Sequence, residues 1–297
     1  MGKDLSLSIL SLLILQFDSY AQYVCRDLGD DDTNEIQTAI DKFDHVIVPN
    51  TSVNWRTAPL ELRDGVTLQL QEGVILWALA DAYGGSSVAI DTSVINIYDV
   101  TGVTIEGLGA GATIQMLIAD YNEGQWRHCI GIKGSENIRI ENLVLAESGG
   151  DGVYIGPSRR DSDCETIDII DVICDANARQ GISIISARDV NITDSVFRRT
   201  GQKNHDNLAP EGPWAGIDLE PDFANHVFQQ ISIRDCIFED NDGSGIEVNF
   251  FHSNDVTPDI SITIADCVIK NCQRGIHIAN RLSATIGGFV DISNCNV

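Results

Sequence analysis

A glycine followed by alternating apolar residues recurs six times from residue 131 onward in this 297-residue chain, and that recurrence constrains the fold more than any other feature. The copies are Gly131-Ile132-Lys133, Gly152-Val153-Tyr154-Ile155, Gly181-Ile182-Ser183-Ile184, Gly216-Ile217-Asp218-Leu219, Gly245-Ile246-Glu247-Val248 and Gly275-Ile276-His277-Ile278. Successive glycines lie 21, 29, 35, 29 and 30 residues apart. A second strand series sits between them: Ile138-Arg139-Ile140, Ile167-Asp168-Ile169, Val190-Asn191-Ile192, Ile231-Ser232-Ile233 and Ile262-Thr263-Ile264. Alternation with period two is a strand signal, and a unit this short cannot bury its apolar face alone. Stacked coils solve both problems, with parallel strands about 4.8 Å apart and apolar side chains laddered inside. The glycine phase predicts one buried ladder of Ile132, Val153, Ile182, Ile217, Ile246 and Ile276.

The second strands end in a matching set: Asn142-Leu143, Asp171-Val172, Asp194-Ser195, Asp235-Cys236, Asp266-Cys267 and Asn294-Cys295. Three of the eight cysteines thus share a column, read as an inward stack of thiols. Disulfides between neighbouring coils are the alternative, since strand spacing falls within the Cα separation a bridge tolerates. Upstream, Ile36 and Ile40 lie on one face of a helical stretch that is placed to cap the first coil and shield its edge.

The first residues carry a lysine, an apolar run from Leu5 to Leu15 and a small-residue close at Ala21. They read as a signal peptide spanning residues 1–21, which makes the protein secreted, extracellular or periplasmic. No stretch is long and apolar enough to span a membrane. Residues 22–297 then form one domain, and the sequence stops at Val297 within a coil, as if truncated there with an exposed strand edge. The net charge of -25 argues against nucleic acid, which needs a basic stripe. It also disfavours a polyanionic substrate unless calcium or a local Arg/Lys cluster mediates contact. Oligomeric state is left open.

The segments DDTNEIQTAID, VIVPN, APLELRDGVTLQLQEGVIL and GDGVYIG resemble the pectin-lyase-like superfamily, over nearly all of residues 27 to 297. The resemblance implies an all-β, single-stranded right-handed parallel β-helix with an N-terminal capping helix, and work on a carbohydrate polymer. The Asn-Thr-Asp, paired-Asp and Gly-His-Gly signatures of polygalacturonases have no counterpart, and Asp151 stands alone between Gly150 and Gly152.

Residues two beyond each glycine point outward, giving a column of Lys133, Tyr154, Ser183, Asp218, Glu247 and His277, with Glu220 two further on from Asp218. Asp218, Glu220 and Glu247 are the candidate catalytic residues of a glycoside hydrolase. Crowding raises at least one carboxyl pKa, and an acid beside a base is what glycosidic bond hydrolysis requires. The same trio offers oxygen ligands for Ca2+, although no dedicated metal site is predicted. The longest insertion, Thr200 to Trp214, precedes Asp218 and is expected to wall a solvent-exposed groove. Candidate substrate-binding residues are Asp151, Tyr154, Arg179, Lys203, His205 and Trp214. The rival readings are a uronic-acid lyase or epimerase, using Arg179, Lys203 or His205 as base, and a non-catalytic adhesin-like β-helix. Nucleotide, zinc and nucleophile-elbow motifs are absent.

Overall fold

The computed structural model describes residues 22–51, 53–83, 92–118, 126–160, 162–201, 212–280 and 285–297. The leader assigned to residues 1–21 lies outside them.

The chain winds as a parallel β-helix. One sheet contains the strands Leu60–Glu61, Thr92–Tyr98, Arg127–Lys133, Val153–Gly156, Ile182–Ile184, Ile217–Leu219, Ser244–Asn249 and Arg274–Ala279, each parallel to the next. The remaining strands line the other sides. There, Ile138, Ile167, Val190, Ile231, Ile262 and Val290 pair successively, as the second strand series predicts. Asn142, Asp171, Asp194, Asp235, Asp266 and Asn294 all hold φ between 52° and 57°. Those are the corners where a coil turns, and short side chains that bond their own backbone tolerate the left-handed region best.

At the N-terminal end the helix Thr33–Lys42 buries Ile36, Ala39 and Ile40. Asp31 accepts a hydrogen bond from the Thr33 amide at 3.0 Å, and the buried Asp32 carboxylate accepts from the Leu28 and Arg56 amides at 2.7 and 3.0 Å. The helix start is thereby tied to the chain before it and the coil beneath it. At the other end Ile278, Phe289 and Ile292 are exposed.

The register corrects one expectation. Ile130 pairs with Val153 and Ile132 with Ile155, so Gly131 stands opposite Tyr154 rather than Gly152. The buried ladder is Ile130, Val153, Ile182, Ile217 and Ile246, followed by the partly buried Ile276. The glycines at 152, 181, 216, 245 and 275 do share a column, and none of them has positive φ. Their constraint is space: a Cβ at Gly152 would stand 2.6 Å from the carbonyl oxygen of Gly181, and one at Gly216 would stand 2.7 Å from that of Gly245. Coils approach here backbone to backbone.

All eight cysteines are free thiols. Cys236 and Cys267 are buried in the core, with Cys295 packed partly buried against it, so the predicted column forms an inward stack without bridges.

Candidate active site on the outer face of one sheet

Pairing places Asn96, Gly131, Tyr154, Ser183, Asp218, Glu247 and His277 in one outward column. Beside it runs a second column that contains Tyr98, Lys133 and Gly156. The Glu220 amide bonds the Ile184 carbonyl at 3.0 Å, which continues the strand, and Asn249 Nδ2 donates to Glu220 Oε1 at 3.0 Å. Lys133 therefore belongs with Gly156, not with Tyr154 as the glycine phase predicts.

The three candidate acids come together, but not in a solvent-exposed groove. Asp218 is 1% exposed and Glu247 5%, while Glu220 is half-buried. Position in an outward column guarantees only that a side chain avoids the interior; what lies above it decides burial.

Gln180, on the turn before Ser183, fixes Asp218. Its Oε1 accepts the Ala215 amide at 2.7 Å, and its Nε2 donates to Asp218 Oδ2 at 3.2 Å. Among the described residues, the buried Asp218 Oδ1 has no hydrogen-bond partner. Burial, then the charge of Glu220, pushes the Asp218 carboxyl well above the usual carboxylate range against the opposing pull of Arg179. Glu220 is also raised, chiefly by burial, with Arg179 opposing. Glu247 is differently held: Ser244 Oγ donates to Oε2 at 2.6 Å, and His277 Nδ1 lies 2.6 Å from Oε1.

On the other side, Arg179 Nη1 lies 3.5 Å from Asp151 Oδ2. Burial works against the Arg179 charge, but Asp151, Asp218 and Glu220 together hold the proton more tightly than usual. Asp151 also meets His128: its amide donates to His128 Nδ1 at 3.0 Å, and its Oδ2 lies 3.3 Å from the same nitrogen. Burial, aided by Lys133 and Arg179, holds the His128 pKa well below its ordinary value. The neutral ring stacks on Tyr154 with centroids 5.0 Å apart.

Asp151, Tyr154 and Arg179 are thus contiguous with the acids. Trp214 sits on the turn leading into Ala215 and packs against Gly201 and Gly212, at the rim rather than on the sheet. Lys203 and His205 lie outside the described residues. Sequence reasoning missed His128, Gln180 and Ser244 as site residues, and placed His277 and Asn249 in outward columns without giving them a role. A 23-residue coil, from Ile130 to Val153, would have brought His128 to the Asp151 turn. Among the described residues, no group of three or more His, Cys, Asp or Glu side chains is arranged to hold a metal ion. No described helix is long and apolar enough to cross a membrane.

Solved structures share this architecture. A polygalacturonase from Erwinia carotovora ssp. carotovora superposes with a TM-score of 0.53 at 17% identity, covering 92% of this chain and 84% of that one. The pre-mature gene product 12 of bacteriophage phi29 superposes with a TM-score of 0.54 at 14% identity, covering 84% of this chain and 31% of that one. At such identities the likeness is one of fold. No curated protein matches the sequence. A family model described as a right-handed β-helix region matches residues 100–297. That match spans more than half of the chain, and with the observed coils it shows that the protein belongs to the right-handed β-helix family.

Proposed function

We propose that this protein is an exported, polysaccharide-active glycoside hydrolase that works on the outer face of the Asp218 sheet. The observation that carries the reading is the convergence of Asp218, Glu220 and Glu247 on adjacent strands, two of them with raised carboxyl pKa values. In this scheme Asp218 keeps its proton and delivers it to the leaving glycosidic oxygen as the C–O bond breaks. Glu220, nearer to solvent, accepts a proton from the attacking water. Two residues along a strand set the backbones of these residues roughly 7 Å apart, and a carboxyl separation of roughly 6.5–9.5 Å would leave room for a water and invert the anomeric centre. Gln180 positions the acid, and Glu247 orients His277 at the edge of the site. Arg179 serves as a fixed cation that offsets charge among the acids.

The lyase reading needs a base. Arg179 is disfavoured for that task because its carboxylate neighbours tighten its hold on its proton. Calcium held by the acid trio is disfavoured, because among the described residues no group of three such side chains is arranged to hold a metal ion. The test is turnover of a responsive polysaccharide by Asp218→Asn and Glu220→Gln. Each is expected to lose about 100-fold or more in kcat while folding and sugar binding persist. Unchanged turnover in both variants would remove the assignment.

A further inference from the structure

Cys236, Cys267 and Cys295 are stacked at one corner of three successive coils. The Val268 amide bonds the Cys236 carbonyl and the Asn296 amide bonds the Cys267 carbonyl, each at 2.9 Å. Neighbouring cysteines are thereby one strand spacing apart, about 4.8 Å, inside the roughly 4.4–6.8 Å Cα separation that a disulfide accepts. The three side chains also share one pose. Each Sγ reaches the carbonyl two residues back, at 3.0 Å from Arg234, 3.2 Å from Ala265 and 3.4 Å from Ser293. Each meets a carbonyl of the preceding coil as well, that of Ile192, Ile233 or Ile264. One coil earlier Ser195 takes the equivalent position, its hydroxyl donating to the Thr193 carbonyl at 2.7 Å. The thiols are neighbours because the corner repeats, and Ser195 ends their run.

Burial pushes the thiols of Cys25, Cys129, Cys164, Cys174 and Cys272 above their ordinary value. They stay protonated, and a protonated thiol is a poor nucleophile. Cys267 goes the other way. Contact with the Cys236 thiol, opposed by burial and helped by Cys295, holds it below the ordinary thiol value. The same contact raises Cys236, and burial raises Cys295. Thiolate character is therefore concentrated at the middle of the column. Access is graded as well: Cys236 and Cys267 are buried, whereas Cys295 is partly exposed.

We propose that this column is a redox site, in which Cys267 and Cys295 close a disulfide across consecutive coils by exchange with a small-molecule disulfide. Cys295, the member that solvent reaches, gives up its proton and attacks one sulfur of the oxidant; that S–S bond breaks and one small thiolate leaves. Cys267, as thiolate, then attacks the Cys295 sulfur. The mixed S–S bond breaks and its electron pair leaves with the second small thiolate. The two leaving thiolates take up the two protons that the cysteines released, so two protein thiols are oxidised as one oxidant disulfide is reduced. Cys267 and Cys295 lie 28 residues apart, and the ring they close contains the strand Arg274–Ala279, whose His277 holds Glu247. Oxidation tethers the coil beside the acids, and it does so whether or not those acids are catalytic.

The experiment exposes the reduced, folded protein to oxidised glutathione, blocks remaining thiols with a maleimide under denaturing conditions, and maps the peptides by mass. The expected product has lost two thiols and contains one linked pair, Cys267 with Cys295. Cys267→Ser should stop at a glutathione adduct on Cys295, and Cys295→Ser should keep its remaining thiols. Cys236→Ser should still form the bridge. Hydrogen exchange of the strand Gly288–Ser293 should slow about tenfold or more on oxidation, because the closed ring limits local opening, and should recover on reduction. The mapping of the unmodified chain needs no variant, so a substitution that fails to fold leaves the test intact. Eight free thiols after prolonged exposure, a bridge between any other pair, or a Cys267–Cys295 bridge that leaves exchange unchanged overturns the proposal.

Discussion

Replacing Asp218 with Asn should make the folded protein more resistant to unfolding at pH 8, and the gain should vanish in acid. The carboxyl is 1% exposed, accepts one hydrogen bond from Gln180 and leaves Oδ1 buried without a donor. Burial and the neighbouring Glu220 raise its folded pKa above the unfolded value of about 3.9. The folded state therefore binds more protons than the unfolded one between those two values, and stability falls as pH rises through that window. Each tenfold gain in proton affinity costs about 1.4 kcal/mol once the pH exceeds the folded pKa. Asparagine does not titrate, its oxygen still accepts from Gln180, and Arg179 keeps Asp151 as partner. Removing a buried polar mismatch is worth about 1–3 kcal/mol, so the variant should gain about 2 kcal/mol at pH 8. For a domain of this size that is roughly 4–8 °C in Tm. Guanidinium and thermal midpoints of both proteins at pH 4, 6 and 8 measure it. A gap that is constant with pH would refute the reasoning, as would an asparagine variant less stable at pH 8 than at pH 4 relative to wild type. The second outcome would mean that the carboxylate is ionised and stabilised by Arg179.

Other perturbations test the coil geometry and the metal alternative. Gly216→Ala would press a methyl group on the Gly245 carbonyl and on Phe238, and should cost about 1–3 kcal/mol. Gly275→Ala meets the Val297 side chain rather than a backbone carbonyl at close range, so it should cost clearly less, and equal melting shifts would speak against close coil approach as the reason for the glycine column. Ile217→Asp buries an unpaired charge in the ladder and should abolish cooperative unfolding. A soluble variant with an unchanged melt would contradict the inward assignment. Because the acid trio is not arranged to hold a metal ion, activity should persist in excess chelator; loss on chelation that added calcium restores would contradict this.

The coils were legible because side-chain alternation and coil spacing are set by the backbone, and so write themselves into sequence. The register slip at Gly131 has a physical origin. At positions 152, 181 and 216 glycine is required by the carbonyl of the next coil, whereas at 131 it makes room for the Ser93 Oγ and the Tyr98 hydroxyl. A string of letters records both as the same residue. The acids were legible as outward positions, but their burial was not, since exposure depends on segments that follow no strand period. Gln180, Ser244 and His128 escaped notice because their roles arise from turns and from cross-coil hydrogen bonds. The leader, Lys203 and His205 fall outside the described residues.

Hydrolysis of a glycosidic bond by Asp218 and Glu220 can be tested directly by its products. Purified protein incubated with a panel of neutral, uronate and sulfated polysaccharides, read in parallel for new reducing ends and for the ultraviolet absorbance of unsaturated products, tests it directly. Hydrolysis should give reducing ends without unsaturated product on at least one polymer, lost in both Asp218→Asn and Glu220→Gln. Unsaturated product would make the enzyme a lyase, and reducing ends that persist in both variants would place the chemistry elsewhere on the helix.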